Sequence, residues 1–159
     1  MPVSAAPTAS ETPAALSDTL HDARAITAAP VEGRAPVLAT EAHLDQPAAQ
    51  VARAELVATA HGIYEARING SAATESVLNP GWTVYESRLQ VQRFDVTEQV
   101  RAGGDRVRLS ALLGRGWWNG DFGFGDAEAN YGDQNALLAA LEITFEEDRK
   151  STRLNSSHD

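Results

Sequence analysis

GIYEARINGSAATESVLNPGWTVY, Gly62 to Tyr85, decides how the chain is read. From Ile63 to Asn69 the residues alternate, with Tyr64, Ala66 and Ile68 on one face and Ile63, Glu65, Arg67 and Asn69 on the other, which is the period of a half-buried strand. Asn69-Gly70 supplies the positive φ of a tight hairpin turn. Pro80-Gly81 marks a second turn, which sets Trp82 and Tyr85 at the edge of the sheet.

The same period recurs on both sides. Val51–Ala60 directs Ala52, Ala54, Leu56, Ala58 and Ala60 one way and Arg53, Glu55, Val57 and Thr59 the other, predicting a strand with one wet face. Leu89–Gln92 repeats the pattern, and Arg106–Leu113 turns Val107, Leu109, Ala111 and Leu113 inward. At the end, Leu137, Ala139, Leu141, Ile143 and Phe145 alternate. The Ala/Leu-rich start of that run would suit a helix, but Ile143-Thr144-Phe145 decides for strand. Asp95-Val96-Thr97-Glu98 carries a helix N-cap signal, and Gly103-Gly104 closes the turn that follows. The fold class expected is therefore all-β: an antiparallel β-sandwich of jelly-roll type with one short helix.

The 159 residues, 43% hydrophobic, suit one domain with a modest core. Residues 1–34 are rich in Ala, Pro, Thr and Ser and are expected to be disordered, leaving the sandwich at 35–147. MPVSAAPTASETPAALSDTL lacks the basic start and apolar stretch of a secretory signal, so a cytoplasmic location is slightly favoured. A net charge of -9 argues against nucleic acid or an anionic membrane as partner. There is no cysteine to build a disulfide or thiolate metal site. Lys150 is the only lysine, whereas residues 1–147 hold ten arginines. Asp148–His158, DRKSTRLNSSH, resembles a translated sequencing adapter, so residues 148–159 are expected to be a non-native tail outside the fold.

Chemistry concentrates in GRGWWNGDFGFGDAEANYGD, Gly114 to Asp133, a segment poor as core and well suited to a surface. Aromatic rings take the flat C–H faces of a sugar while short polar groups take its hydroxyls. Trp117, Trp118, Asn119, Asp121, Tyr131 and Asp133 are the sugar-binding candidates, with Trp82 and Tyr85 as aromatic support. Strand-like alternation would point one of Trp117 and Trp118 inward and its neighbour outward. Asp121, Asp126, Asn130 and Asp133 could offer oxygen ligands to calcium, although their spacing is not that of the twelve-residue loop. Glycoside hydrolysis needs two convergent carboxylates, and nothing brings a pair of Asp121, Asp126, Glu128 and Asp133 together, so no catalytic residue is assigned. His21, His43 and His61 stand apart, without metal-ligand spacing, and read as surface residues.

Four blocks, GIYEARING, VLNPGWTVYESRLQVQRFDVTEQV, GRGWWNGDFGF and YGDQNALLAALEITF, resemble the N-terminal accessory domain of bacterial α-L-rhamnosidases in order and spacing, over about Ala35–Glu147. The resemblance implies a β-sandwich placed ahead of an α/α-barrel that hydrolyses terminal α-L-rhamnose with inversion. The family's acid and base belong to that barrel, so none transfers to this chain. It also implies help in substrate recognition, with a rhamnose-containing glycan and the catalytic barrel as partners, and some related modules bind rhamnose with calcium. The alternative is a purely structural domain that stabilises the barrel and binds no sugar. The lead-in VLATEAHL departs from the basic or aromatic lead-in strand usual in the family.

Overall fold

The computed structural model describes residues 19–29, 33–123 and 127–146, together with the backbone of 151–155. Among the described residues, eight strands form two antiparallel sheets. In one sheet the order is β1 (Val37–His43), β6 (Arg106–Gly114), β3 (Ile63–Ile68) and β4 (Ser71–Ala72); in the other it is β5 (Gln92–Asp95), β2 (Val51–His61), β7 (Ala136–Phe145) and β8 (Ser151–Asn155). Leu56, Ala58, Leu141 and Ile143 from the second sheet meet Tyr64, Ile68, Val107 and Leu113 from the first, all nearly inaccessible to water. Burying each of the larger side chains is worth about 1.5–3 kcal/mol. The all-β sandwich read from the alternation is the fold observed.

The inward faces of β3, β6 and β7 are those the alternation assigns, and β7 is strand throughout. Asn69 and Gly70, at φ 50° and 84°, turn β3 into β4.

β2 departs from its expected pattern in two ways. A register irregularity between Val51 and Arg53 turns Ala52 out to solvent and puts Val51 in the core. Its other face is not wet, because Glu55, Val57 and Thr59 are buried there. Leu20 and Ala23 lie over Val57 and Ala140 on this face, with Val91 and Leu138 beside them. Glu55 is held by Arg53 at 2.5 Å and Arg93 at 2.8 Å, and Thr59 donates to the carbonyl of Gln90 at 2.7 Å.

The expectation of disorder over 1–34 is thereby corrected for residues 19–29. Leu20 covers the sheet, and Ile26 exchanges two backbone hydrogen bonds of 2.8 Å with Leu137. A composition average hides a few well-placed apolar anchors of this kind. Residues 1–18 lie outside the described residues. The tail expected to stay outside the fold has the backbone of 151–155 paired with Ala140–Thr144 of β7. An open strand edge accepts any tethered extended segment through backbone bonds alone, so such pairing requires little of the sequence.

Between β5 and β7 two short helices lie among the described residues where one was expected. α1 (Thr97–Arg101) follows Asp95, whose Oδ1 accepts from the Thr97 amide and hydroxyl at 3.0 and 2.6 Å. These bonds hold the Asp95 carboxyl below its ordinary range. α2 (Gly116–Asn119) lies within the aromatic segment. Residues 89–91, read as strand, form an irregular approach to β5, which begins at Gln92. No helix among the described residues is long and apolar enough to cross a membrane.

Candidate functional site

At one end of the sandwich a single residue, Gly62, carries the chain from β2 in one sheet to β3 in the other. Its φ of 122° lies in a region that side chains rarely adopt, and a β-carbon there would overlap Asn135 and the Gly114 carbonyl. The Asn135 Nδ2 donates to the carbonyls of His61 and Gly114, both at 3.0 Å, and so closes the corner. The aromatic cluster stands on this corner.

Trp118, carried by α2, lies at the centre. The His61 ring stacks on it at 3.8 Å and 7°, Tyr85 meets it edge-on at 5.1 Å, and Tyr131 lies 6.5 Å away at 25°. Its Nε1 donates to the carbonyl of Gln134 at 3.0 Å. Gly132 sits so close to the indole that a β-carbon would overlap its ring atoms. Trp118 is thus half-buried among its neighbours.

Trp82 is the outward member. Its Nε1 donates to the Tyr131 hydroxyl at 3.2 Å while its side chain remains 60% exposed. Tyr131 in turn meets Tyr85 at 4.9 Å. The loop below Trp82 is tied to the core: the Tyr64 amide donates to the Asn79 carbonyl at 2.7 Å, and Gln92 Nε2 to Asn79 Oδ1 at 2.8 Å. The Tyr64 hydroxyl completes the relay to Gln92 Oε1 at 2.7 Å, and burial raises its pKa. Gln90 Nε2 holds the Trp82 carbonyl at 2.9 Å.

The structure therefore gathers Trp82, Tyr85, Trp118 and Tyr131, leaving Trp82 exposed and Trp118 half-buried among the other rings. Tyr85 braces both. Trp117 is half-buried and has no ring partner among the described residues. The in/out alternation does not apply to these tryptophans, because they lie on a helical turn where neighbours diverge by about 100°.

The polar candidates do not converge on the rings. Asn119 is buried, its Nδ2 donating to the Asp133 carbonyl at 3.3 Å and its own carbonyl held by Arg115. Its Oδ1 has no hydrogen-bond partner. Asn119 and Asp133 line an open groove of about 1010 Å³ together with Arg34, Arg115 and Asn135, and among the described residues no aromatic ring contributes to its walls.

Of the calcium candidates, Asp121 and Asn130 make local bonds. Asp121 Oδ1 is engaged by the Gly123 amide at 2.6 Å, and Asn130 Nδ2 donates to the Ala127 carbonyl at 3.1 Å. Asp126 lies outside the described residues. Among those described, no three acidic or imidazole groups gather at one point.

His61 is the residue that sequence reasoning missed. Its signal was positional, since it ends β2 immediately before a glycine, but nothing in the sequence announces the ring it meets. Burial lowers its pKa from 6.5, so the folded protein takes up a proton less readily than the unfolded chain. The unfolded chain binds that proton as pH falls through about 6.5, and the folded one only at lower pH. Stability is therefore expected to decline as pH drops from 7 towards 5, with a shallower decline in His61→Gln. Urea midpoints across that range measure the difference, and parallel curves for the two proteins would contradict it. Tyr85 shifts upward, first through burial and then through the neighbouring Tyr131.

Two antiparallel sheets closed over one apolar core place this chain in the class of β-sandwich domains. The particular family follows from comparison: this chain belongs to the α-L-rhamnosidase N-terminal domain family, whose model matches residues 49–159. It is 43% identical over 132 residues to an α-L-rhamnosidase of Streptomyces avermitilis, covering 82% of this chain and 12% of that protein. An α-L-rhamnosidase of Alteromonas sp. is 32% identical over 111 residues, covering 69% of this chain and 12% of the relative. Among solved structures, that of the S. avermitilis α-L-rhamnosidase complexed with L-rhamnose superposes with a TM-score of 0.71 at 41% identity, over 81% of this chain and 12% of the other. The native Aspergillus terreus enzyme gives 0.75 at 31% identity, over 91% of this chain and 16% of its own. The chain thus spans about an eighth of the S. avermitilis relative's length.

Proposed function

We propose that this chain is a non-catalytic carbohydrate-recognition module of an α-L-rhamnosidase, and that it holds a terminal rhamnosyl residue against Trp82 and Tyr131. Hydrolysis of α-L-rhamnosides, with inversion, belongs in this reading to a catalytic barrel elsewhere in the parent polypeptide. No residue of this chain is given a part in bond cleavage. The observation that carries the reading is Trp82. An indole left 60% exposed, yet fixed at its nitrogen by Tyr131 and at its carbonyl by Gln90, is a preorganised stacking surface.

Titration of the 159-residue chain with L-rhamnose, followed by tryptophan fluorescence and calorimetry with and without calcium, tests it. Saturable binding is expected, weakened at least tenfold by Trp82→Ala and little changed by Trp117→Ala. That loss corresponds to about 1.4 kcal/mol, the order of one aromatic contact. A flat titration in both conditions would sink the reading. Dependence on calcium would bring the oxygen ligands of the Gly114–Asp133 segment into it.

A further inference from the structure

Of the eight large apolar side chains left exposed among the described residues, five lie between Val77 and Leu89 in the loop joining β4 to β5. Val77 is 72% exposed, Leu78 50%, Val84 57% and Leu89 36%, with Trp82 among them. Free apolar loops usually fold these groups away or carry polar ones.

This loop is not loose. Asn79 and Thr83 are buried beneath it, Asn79 bonded to Tyr64, Ser76 and Gln92, and Thr83 receiving Arg88 Nε at 3.1 Å. Leu78 is held at φ 58°, a conformation costly for a branched side chain, while its side chain faces solvent. Thr83 is buried between exposed neighbours, of which Val84 is the aliphatic one. Polar anchoring below and apolar display above are the marks of a surface built to be covered.

We propose that Val77, Leu78, Val84 and Leu89 form the face on which the remainder of a rhamnosidase polypeptide docks. The proposal rests on this chain being one part of a longer protein, and not on sugar binding at Trp82. Relatives devote only 11 to 12% of their length to the matching segment, so most of such a polypeptide is available as the partner. Four apolar side chains are a small patch for two free proteins. Covalent linkage raises the effective concentration into the millimolar range, where a patch of this size suffices. A second copy is the poorer occupant, since two chains of net charge -9 repel each other on approach.

The test compares the 159-residue chain with an S. avermitilis α-L-rhamnosidase in which this chain replaces the 132-residue matching segment. Backbone hydrogen exchange across residues 77–89 is expected to slow at least tenfold in the chimera. Val77→Asp with Val84→Asp should restore the rate of the free chain, and the milder Val84→Ser should restore part of it. Circular dichroism of the free double variant, and its L-rhamnose titration, should match those of the unaltered free chain. Equal exchange in free chain and chimera overturns the proposal. So does a dimer of the free chain that the double variant dissolves, which would give the face to a second copy. A flat L-rhamnose titration beside a protected loop would refute the sugar reading and uphold the docking face.

Discussion

Gly62→Ala is expected to lower the unfolding free energy by about 2–4 kcal/mol, measured by urea denaturation at neutral pH. The backbone term is about 1–3 kcal/mol, because φ of 122° is adverse to any side chain. The new methyl group also meets Asn135 and the Gly114 carbonyl, so the amide that joins His61 to Gly114 must move. Each hydrogen bond weakened by that movement contributes about 0.5–1.5 kcal/mol. Asn135→Ala, which relieves only one of the two overlaps, should recover less than half of the loss, since the backbone term and the clash with the Gly114 carbonyl remain. An unchanged urea midpoint for Gly62→Ala would mean that the corner does not constrain the chain as described.

Trp118→Ala is expected to lose both stability and sugar binding. Complete truncation of a buried indole costs about 3–5 kcal/mol, and half-burial reduces this to about 2–3 kcal/mol. His61 and Tyr85 lose the ring that orders them, and Tyr131 loses the neighbour that fixes its distance from Trp82. Trp82→Ala differs in kind, because removal of an exposed ring should shift stability by no more than about 0.5 kcal/mol. Denaturation and L-rhamnose titration of the two variants side by side separate support from contact. If Trp118→Ala folds as well as the parent and still binds L-rhamnose, the division of roles between the two indoles is wrong.

The strands were legible because the period of two survives wherever one face meets the core, as in Tyr64, Ala66 and Ile68 or in Val107, Leu109 and Ala111. β2 misled because its second face is also covered, and the residues that cover it, Leu20 and Ala23, lie about thirty positions upstream. Local alternation cannot report a distant cover. The aromatic residues of the site were legible as a set, but which of them stays exposed was not. Exposure of Trp82 and enclosure of Trp118 depend on His61, Gly132 and Gln134, which reach the rings across the fold. α2 escaped notice because four residues, one of them glycine, give no helical period to detect.

The single-residue passage at Gly62 also bears on how the molecule comes apart. Because β2 and β3 are one run of chain bent between two sheets, neither layer can peel away while the other keeps its register. Each sheet also draws its central strands from distant parts of the sequence, β2 with β7 and β3 with β6. Such an arrangement leaves no half-sandwich to act as a stable intermediate, and it makes folding slow for the chain's size. Opening is then all or none, and a ligand held over the corner would slow the unfolding of both layers at once.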